Sequence, residues 1–316
     1  MNTIRNLCGL LWSWLFLLSF LACDYYEPLE IPIEEELSLD TQGNSSNQIS
    51  DAAPEKITLY TVAEEEIVKI KDYAVKGASL QFQKDTTKHQ EIWQLVKRII
   101  PPAFRSKMSE LLIYNGANTN TSGFVDPTIN NLSQWQLAIA IDYAYRKPFN
   151  TDGEVAFTII HEFGHILTLN DEQISAGIIE KNCDGYYVSN GCAKDNAYIQ
   201  MFHDNYWQDI LEEHANLENT PEANSLFYAK YKDRFVSRYA ANSLTEDIAE
   251  VFATFVTEPE MRSGTSITDQ KIQMLYQFSE LHYIRDYIRQ HALTSKGQGV
   301  APNLNGENSF VCATRF

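Results

Sequence analysis

The sequence predicts an α+β protein, mostly helical, with a small sheet set beside one buried helix that carries two histidines and a glutamate. Three observations predict it. The apolar run 155–169 holds His161-Glu162-Phe163-Gly164-His165 at helical spacing. A second apolar run, 244–256, carries Glu246 and Glu250 four residues apart. A strand-like stretch, 134–145 (QWQLAIAIDYAY), precedes the first helix.

Taken in order, residues 1–22 read as an export signal. Residues 7–21 are almost wholly apolar, Arg5 is the sole charge, and the run falls short of the roughly 20 residues a membrane span needs. It ends at Leu21-Ala22-Cys23, which resembles a bacterial lipobox with Phe20 where leucine is usual. Cys23 would then be lipidated and lead the mature chain; the alternative is an ordinary signal cut near Ala22. Residues 23–56 form an acidic and polar tether, with Glu34-Glu35-Glu36 followed by a Ser-, Asn- and Asp-rich stretch that predicts disorder. Residues 57–316 have globular composition, enough for one large domain or two lobes. The net charge of -17 argues against nucleic acid or anionic lipid as a partner. Cys183 and Cys192 can staple one loop, their spacing is not that of a CxxC metal site, and a pairing with Cys312 stays open.

Within the domain, 61–78 reads as a charged amphipathic helix. Residues 89–100 read as a second, halted by Pro101-Pro102. Residues 107–114 are a strand or a short helix, and 115–131, rich in Asn, Thr and Gly, read as loop. Thr151 and Glu154 fit a capping box at the start of the HExxH helix. An irregular stretch to 195 follows, then helices over 197–217, 223–239, 244–256 and 269–293.

Two histidines four apart on one helical face can hold one zinc ion, and the adjacent Glu162 can take a proton from the water it activates. HExxH also arises by chance on core helices. Here the chain has only seven histidines, and polar groups in so apolar a run need a reason. A catalytic zinc usually has three protein ligands and one open position. Glu246 is one candidate for the third. Glu250 lies on the same face, so one of the two can bind zinc and the other can accept the second ring N–H of a ligand histidine. Against this, Ser243-x-x-Glu246 is also a capping box. Asp171 is the other candidate, at HExxHxxGxxD spacing, but Thr168 stands where that pattern has glycine. His203, His214 and His282 lie on later amphipathic helices and read as surface or core residues.

HExxH with a downstream E-x-x-x-[DE] helix resembles the gluzincin arrangement of zincin metallopeptidases, and HEFGH with EDIAEVF is similar to the catalytic domain of anthrax lethal factor. With the lipobox and acidic tether, the chain most resembles the substrate import-associated zinc metallohydrolase lipoproteins of Bacteroidota. The resemblance implies a zincin-like catalytic domain over 57–316, Glu246 as the third zinc ligand, Glu250 behind a histidine, and Tyr239, seven residues before Glu246, as a transition-state donor. It also implies a strand beside the HExxH helix that lines the cleft and pairs with an extended peptide or protein substrate. The lipid anchor would be the sole membrane contact, in the bacterial envelope near an outer-membrane import complex, with no nucleic-acid partner. The rivals are a non-catalytic lipoprotein that presents a peptide or glycan, and a zinc hydrolase of another bond. The chain's 17 Tyr, 16 Phe and 5 Trp suit sugar stacking, but they suit a core better.

Overall fold

β1 (Glu55–Ala63) and β2 (Glu66–Asp72) form an antiparallel hairpin where the sequence predicts a helix over 61–78. The computed structural model describes residues 53–63, 65–147, 149, 153–218 and 220–293, with the backbone of 311–312. The export signal, Cys23 and nearly all of the tether lie outside the described residues, and Glu55 and Lys56, expected in the tether, are strand. The hairpin forms because its arms are rich in β-branched residues (Ile57, Thr58, Thr61, Val62, Ile67, Val68, Ile70), which favour extended backbone. Its turn is pinned from elsewhere. Glu65 sits at φ 72, its carbonyl accepts from Trp93 Nε1 at 3.1 Å, and its carboxylate pairs with Arg105.

α1 (Gly77–Lys84), α2 (Thr86–Ile99) and the one-turn α3 (Pro102–Arg105) follow. Asp85 caps α2, and Pro101-Pro102 ends it, as the sequence predicts. β3 (Met108–Asn115) is a strand. So is β4 (Thr121–Pro127), inside the stretch read as loop. β5 (Trp135–Ala140) runs into a helical turn, α4 (Ile141–Ala144), and then α5 (Glu154–Leu169), the HExxH helix. A three-stranded sheet, β6 (Ile174–Ala176), β7 (Tyr187–Val188) and β8 (Gly191–Ala193), occupies the stretch read as irregular, and a Cys183–Cys192 disulfide closes it.

The later helices are shorter than predicted. Residues 197–217 split into α6 (Tyr198–Tyr206) and α7 (Leu211–Ala215), and α8 (Pro221–Tyr231) gives way to 3-10 turns at Lys232–Arg234 and Tyr239–Asn242. α9 (Leu244–Thr257) matches its prediction. The last run splits into α10 (Ile267–Leu275) and α11 (Ser279–His291), and β9 (Val311–Cys312) follows.

The class is α+β. The main sheet has order β2-β1-β3-β5-β4-β9, larger than the small sheet expected, and is mixed: β3/β5 and β4/β9 pair in parallel, the others antiparallel. Strand alternation divides its faces. Leu111 and Ile113 join the main core with the helices, while Leu112 and Tyr114 meet Phe124, Ala138 and Ala140 on the other side. α5 packs between β4 and α9 and is buried from Val155 to Leu169. Gly153, not Thr151, stands at its N-cap; Thr151 lies outside the described residues, and Glu154 pairs with Arg146 and Lys147.

α9 is held on two sides. Asp247, next to Glu246, accepts from Trp207 Nε1 at 2.7 Å and pairs with Lys271 of α10, both members of that pair being fully buried. Burial pushes the Asp247 carboxyl up and the Lys271 ammonium down, so the pair survives on its mutual attraction and hydrogen bonds. No helix among the described residues is long and apolar enough to cross a membrane.

Candidate metal centre

The centre is built where α5 meets α9, and Gly164 lets the two helices approach. A Cβ at 164 would stand 3.1 Å from Phe252 Cδ1 and 3.2 Å from Ala249 Cα, so only glycine fits without a shift. Phe163 and Phe252 meet edge-on beside it, 6.0 Å between centroids. This contact turns His161 and His165, four apart on α5, toward Glu246 and Glu250, four apart on α9.

Three atoms converge. His161 Nε2 lies 3.0 Å from His165 Nε2 and 3.0 Å from Glu246 Oε2, which is 3.3 Å from His165 Nε2. Among the described residues this is the group of three whose donor atoms are placed to share one metal ion. Ser243 caps α9 by accepting from the Glu246 backbone N–H at 3.1 Å, so half of the predicted capping box forms while the Glu246 side chain goes to the histidines.

Behind the triangle, His161 Nδ1 lies 2.7 Å from Glu250 Oε1, and Glu250 Oε2 accepts from Ser237 Oγ at 2.7 Å. Ser237 Oγ in turn accepts from the Ala240 backbone N–H at 3.0 Å. This chain of bonds fixes the His161 ring and directs its Nε2 at the triangle. The electrostatics follow. Burial disfavours a charged His161, but Glu246 and Glu250 override it and raise its pKa well above the ordinary value. Burial pushes His165 down. Burial opposes ionised Glu246, yet the two rings hold its carboxyl below the usual range. The centre is thus arranged around positive charge: a proton on His161, or a cation among the three donors.

No protein-family model, curated protein or solved structure matches this chain.

The remaining predicted residues divide. Glu162 is fully buried, and its side chain lies over Gly123 of β4, where an added Cβ would come within 3.2 Å of Glu162 Cγ and Oε1. Tyr239 is half-buried at the head of a 3-10 turn, its ring 5.8 Å from that of His161. Asp171 is not at the centre; it pairs with Lys107 at 3.0 Å, because the chain turns away after Asn170. His203, His214 and His282 are engaged elsewhere: His203 bonds to Asp204, His214 meets the Trp207 ring edge-on, and His282 bonds to the Tyr276 carbonyl. The strand beside Glu162 is β4, and β5, expected as the cleft-lining edge, is an interior strand between β3 and β4. Sequence reasoning also missed Ser237, an isolated serine with no spacing signal toward Glu250. β4 left a faint signal in its Phe124-Val125 pair after Gly123.

Proposed function

We propose that the chain is a zinc-dependent hydrolase of the zincin type, most consistent with a peptidase. The observation that carries this reading is the buried triangle of His161 Nε2, His165 Nε2 and Glu246 Oε2, backed by Glu250 and flanked in sequence by Glu162. The donor set fits the ion. Tetrahedral ligands about 2.0–2.2 Å from one zinc stand about 3.3–3.5 Å apart, and these three atoms are 3.0 to 3.3 Å apart. Two imidazoles and one carboxylate also leave a fourth position open, the mark of a catalytic rather than a structural site.

A bound zinc ion would polarise the scissile carbonyl and make water nucleophilic near neutral pH. The protein's own groups do the rest. Glu162 takes the proton of the attacking water and delivers it to the leaving nitrogen. Tyr239 donates a hydrogen bond to the oxygen that gains charge. Glu250, tied to Ser237, keeps His161 in the tautomer that presents Nε2 as a ligand. Lipidation of Cys23 would tether the enzyme to the bacterial envelope near an import system, with a peptide or protein as substrate.

Glu162→Gln keeps shape and both histidines but removes the proton acceptor. Zinc content should stay stoichiometric while hydrolysis of a peptide library falls by about 100-fold or more. Full activity in the variant would remove Glu162 from the mechanism. A wild type that binds zinc and cleaves no peptide would favour the peptide- or glycan-presenting lipoprotein.

A further inference from the structure

A cavity of about 160 Å³ lies at the C-terminal end of α5. Its walls are Leu132 just before β5, Trp135 at its head, Leu169, the hairpin aromatics Tyr186 and Tyr187 with Val188, and a polar rim of Ser189, Asn190 and Thr245. None of His161, His165 and Glu246 lines it, but two of its lining residues lie close to the centre in the chain. Leu169 is one helical turn, roughly 5.4 Å, beyond His165, and Thr245, also in the lining, immediately precedes Glu246.

Size and chemistry select an occupant. An apolar cavity of about 150 Å³ admits one benzene molecule, so this one has room for a single six-membered ring. No charged residue lines it, so a charged side chain would lose its hydration without a partner. The tyrosine and tryptophan walls offer edges and faces to an aromatic guest.

Two further features mark it as a built site. Leu132 sits at φ 64, a left-handed conformation rare for a branched residue. Three hydrogen bonds hold it there: its N–H donates to the Ile129 carbonyl at 3.1 Å, and its own carbonyl accepts from Trp135 Nε1 at 2.8 Å and Asp171 N at 3.2 Å. Strain that the surroundings over-determine in this way gathers at ligand clamps. The β7–β8 hairpin, which supplies Tyr187 and Val188 to the same cavity, is tied down by the Cys183–Cys192 disulfide.

We propose that this cavity receives one aromatic side chain, phenylalanine or tyrosine, from the peptide whose bond is held at His161, His165 and Glu246. The proposal rests on the peptidase reading and gives it a substrate class: peptides with an aromatic residue next to the cleaved bond.

The test has two arms, both on the zinc-loaded protein. The first is equilibrium binding, followed by NMR, of N-acetyl-phenylalanine amide and N-acetyl-alanine amide. The second is hydrolysis of peptide pairs that differ only by Phe or Ala at one position. Burial of a ring predicts that the phenylalanine compound is favoured by about 10- to 100-fold in both arms. Val188→Trp fills the cavity and should bring both ratios to near parity. Tyr187→Ala enlarges it and should move the preference from phenylalanine toward tryptophan, which a merely misfolded variant would not do. Equal treatment of Phe and Ala by the wild type, or undiminished discrimination in Val188→Trp, overturns the proposal. If the wild type cleaves no peptide at all, the peptidase reading falls, and the binding arm alone decides whether the cavity is an aromatic site.

Discussion

Gly164→Ala tests whether the closeness of α5 and α9 sets the centre. Alanine is the better helix former by about 1 kcal/mol, so on an isolated helix the change would stabilise. Here the new methyl would meet Phe252 Cδ1 at 3.1 Å, Ala249 Cα at 3.2 Å and Ala249 Cβ at 3.5 Å. Phe252 can tilt, but Ala249 Cα is backbone, so α9 itself must give by a few tenths of an ångström. Overpacking of this kind costs about 1–3 kcal/mol. Set against the propensity gain, the net change is a loss of about 0–2 kcal/mol. The larger effect falls on metal binding, because α9 carries both Glu246 and Glu250. Displacing the pair should weaken zinc affinity by about 10-fold, the low end for disturbing a ligand's supporting partner. Urea denaturation of the metal-free protein and chelator competition for zinc measure the two effects separately. A variant more stable by the full 1 kcal/mol or so, with unchanged zinc affinity, would refute the reasoning.

Other outcomes are as specific. Glu246→Ala should abolish stoichiometric zinc binding while keeping the helix cap, since Ser243 bonds the backbone at 246; Asp171→Ala should retain zinc and lose at most about 1 kcal/mol, because its partner Lys107 is a partly exposed ion pair. Full zinc occupancy in Glu246→Ala with loss in Asp171→Ala would reverse the ligand assignment. His89 is buried, its Nε2–H donating to the Phe82 carbonyl at 3.0 Å and its Nδ1 accepting from Tyr60 at 2.7 Å. Burial lowers its pKa, so the unfolded chain takes up a proton before the folded one does, and stability falls as pH drops through the unfolded value of about 6.5. Denaturation between about pH 7.5 and 5.5 should therefore show a smaller loss in His89→Phe than in the wild type, and equal losses would remove His89 from the acid response. Replacing Cys183 and Cys192 by serine opens a loop of sequence separation 9, which should cost about 2.5–3 kcal/mol. An unchanged melting temperature would show that the bridge contributes nothing to folding.

The candidate site was legible wherever one short segment carries its own geometry. His161, Glu162 and His165 share a helix, as do Glu246 and Glu250, and a period of four residues states which side chains point together. What the sequence did not show depends on distant partners. The segment 61–78 has the charged composition of a helix, but pairing with β3 and the grip of Trp93 and Arg105 on Glu65 make it strand. β4 hides in an Asn- and Thr-rich stretch because its burial comes from α5 crossing it, and Gly123, which invites a loop assignment, is there to admit Glu162. Ser237 reaches Glu250 only because the chain folds through 3-10 turns before α9. The helix predicted over 197–217 breaks at Trp207, whose buried indole turns inward to Asp247.

That last contact has a mechanical meaning. Neighbouring residues of a helix point about 100° apart, so α9 is gripped at two angles: Glu246 toward the histidines, Asp247 toward Trp207 and Lys271. Side-chain tips lie roughly 5–6 Å from the helix axis, so a roll of about 10° would carry a carboxylate about 1 Å. A misplacement of that size costs an active site up to about 100-fold. The Asp247–Lys271 pair acts as a rotational stop. Exchanging it for apolar residues of equal volume can leave folding stability unchanged, so its contribution would surface in the behaviour of the centre about a quarter-turn around the helix.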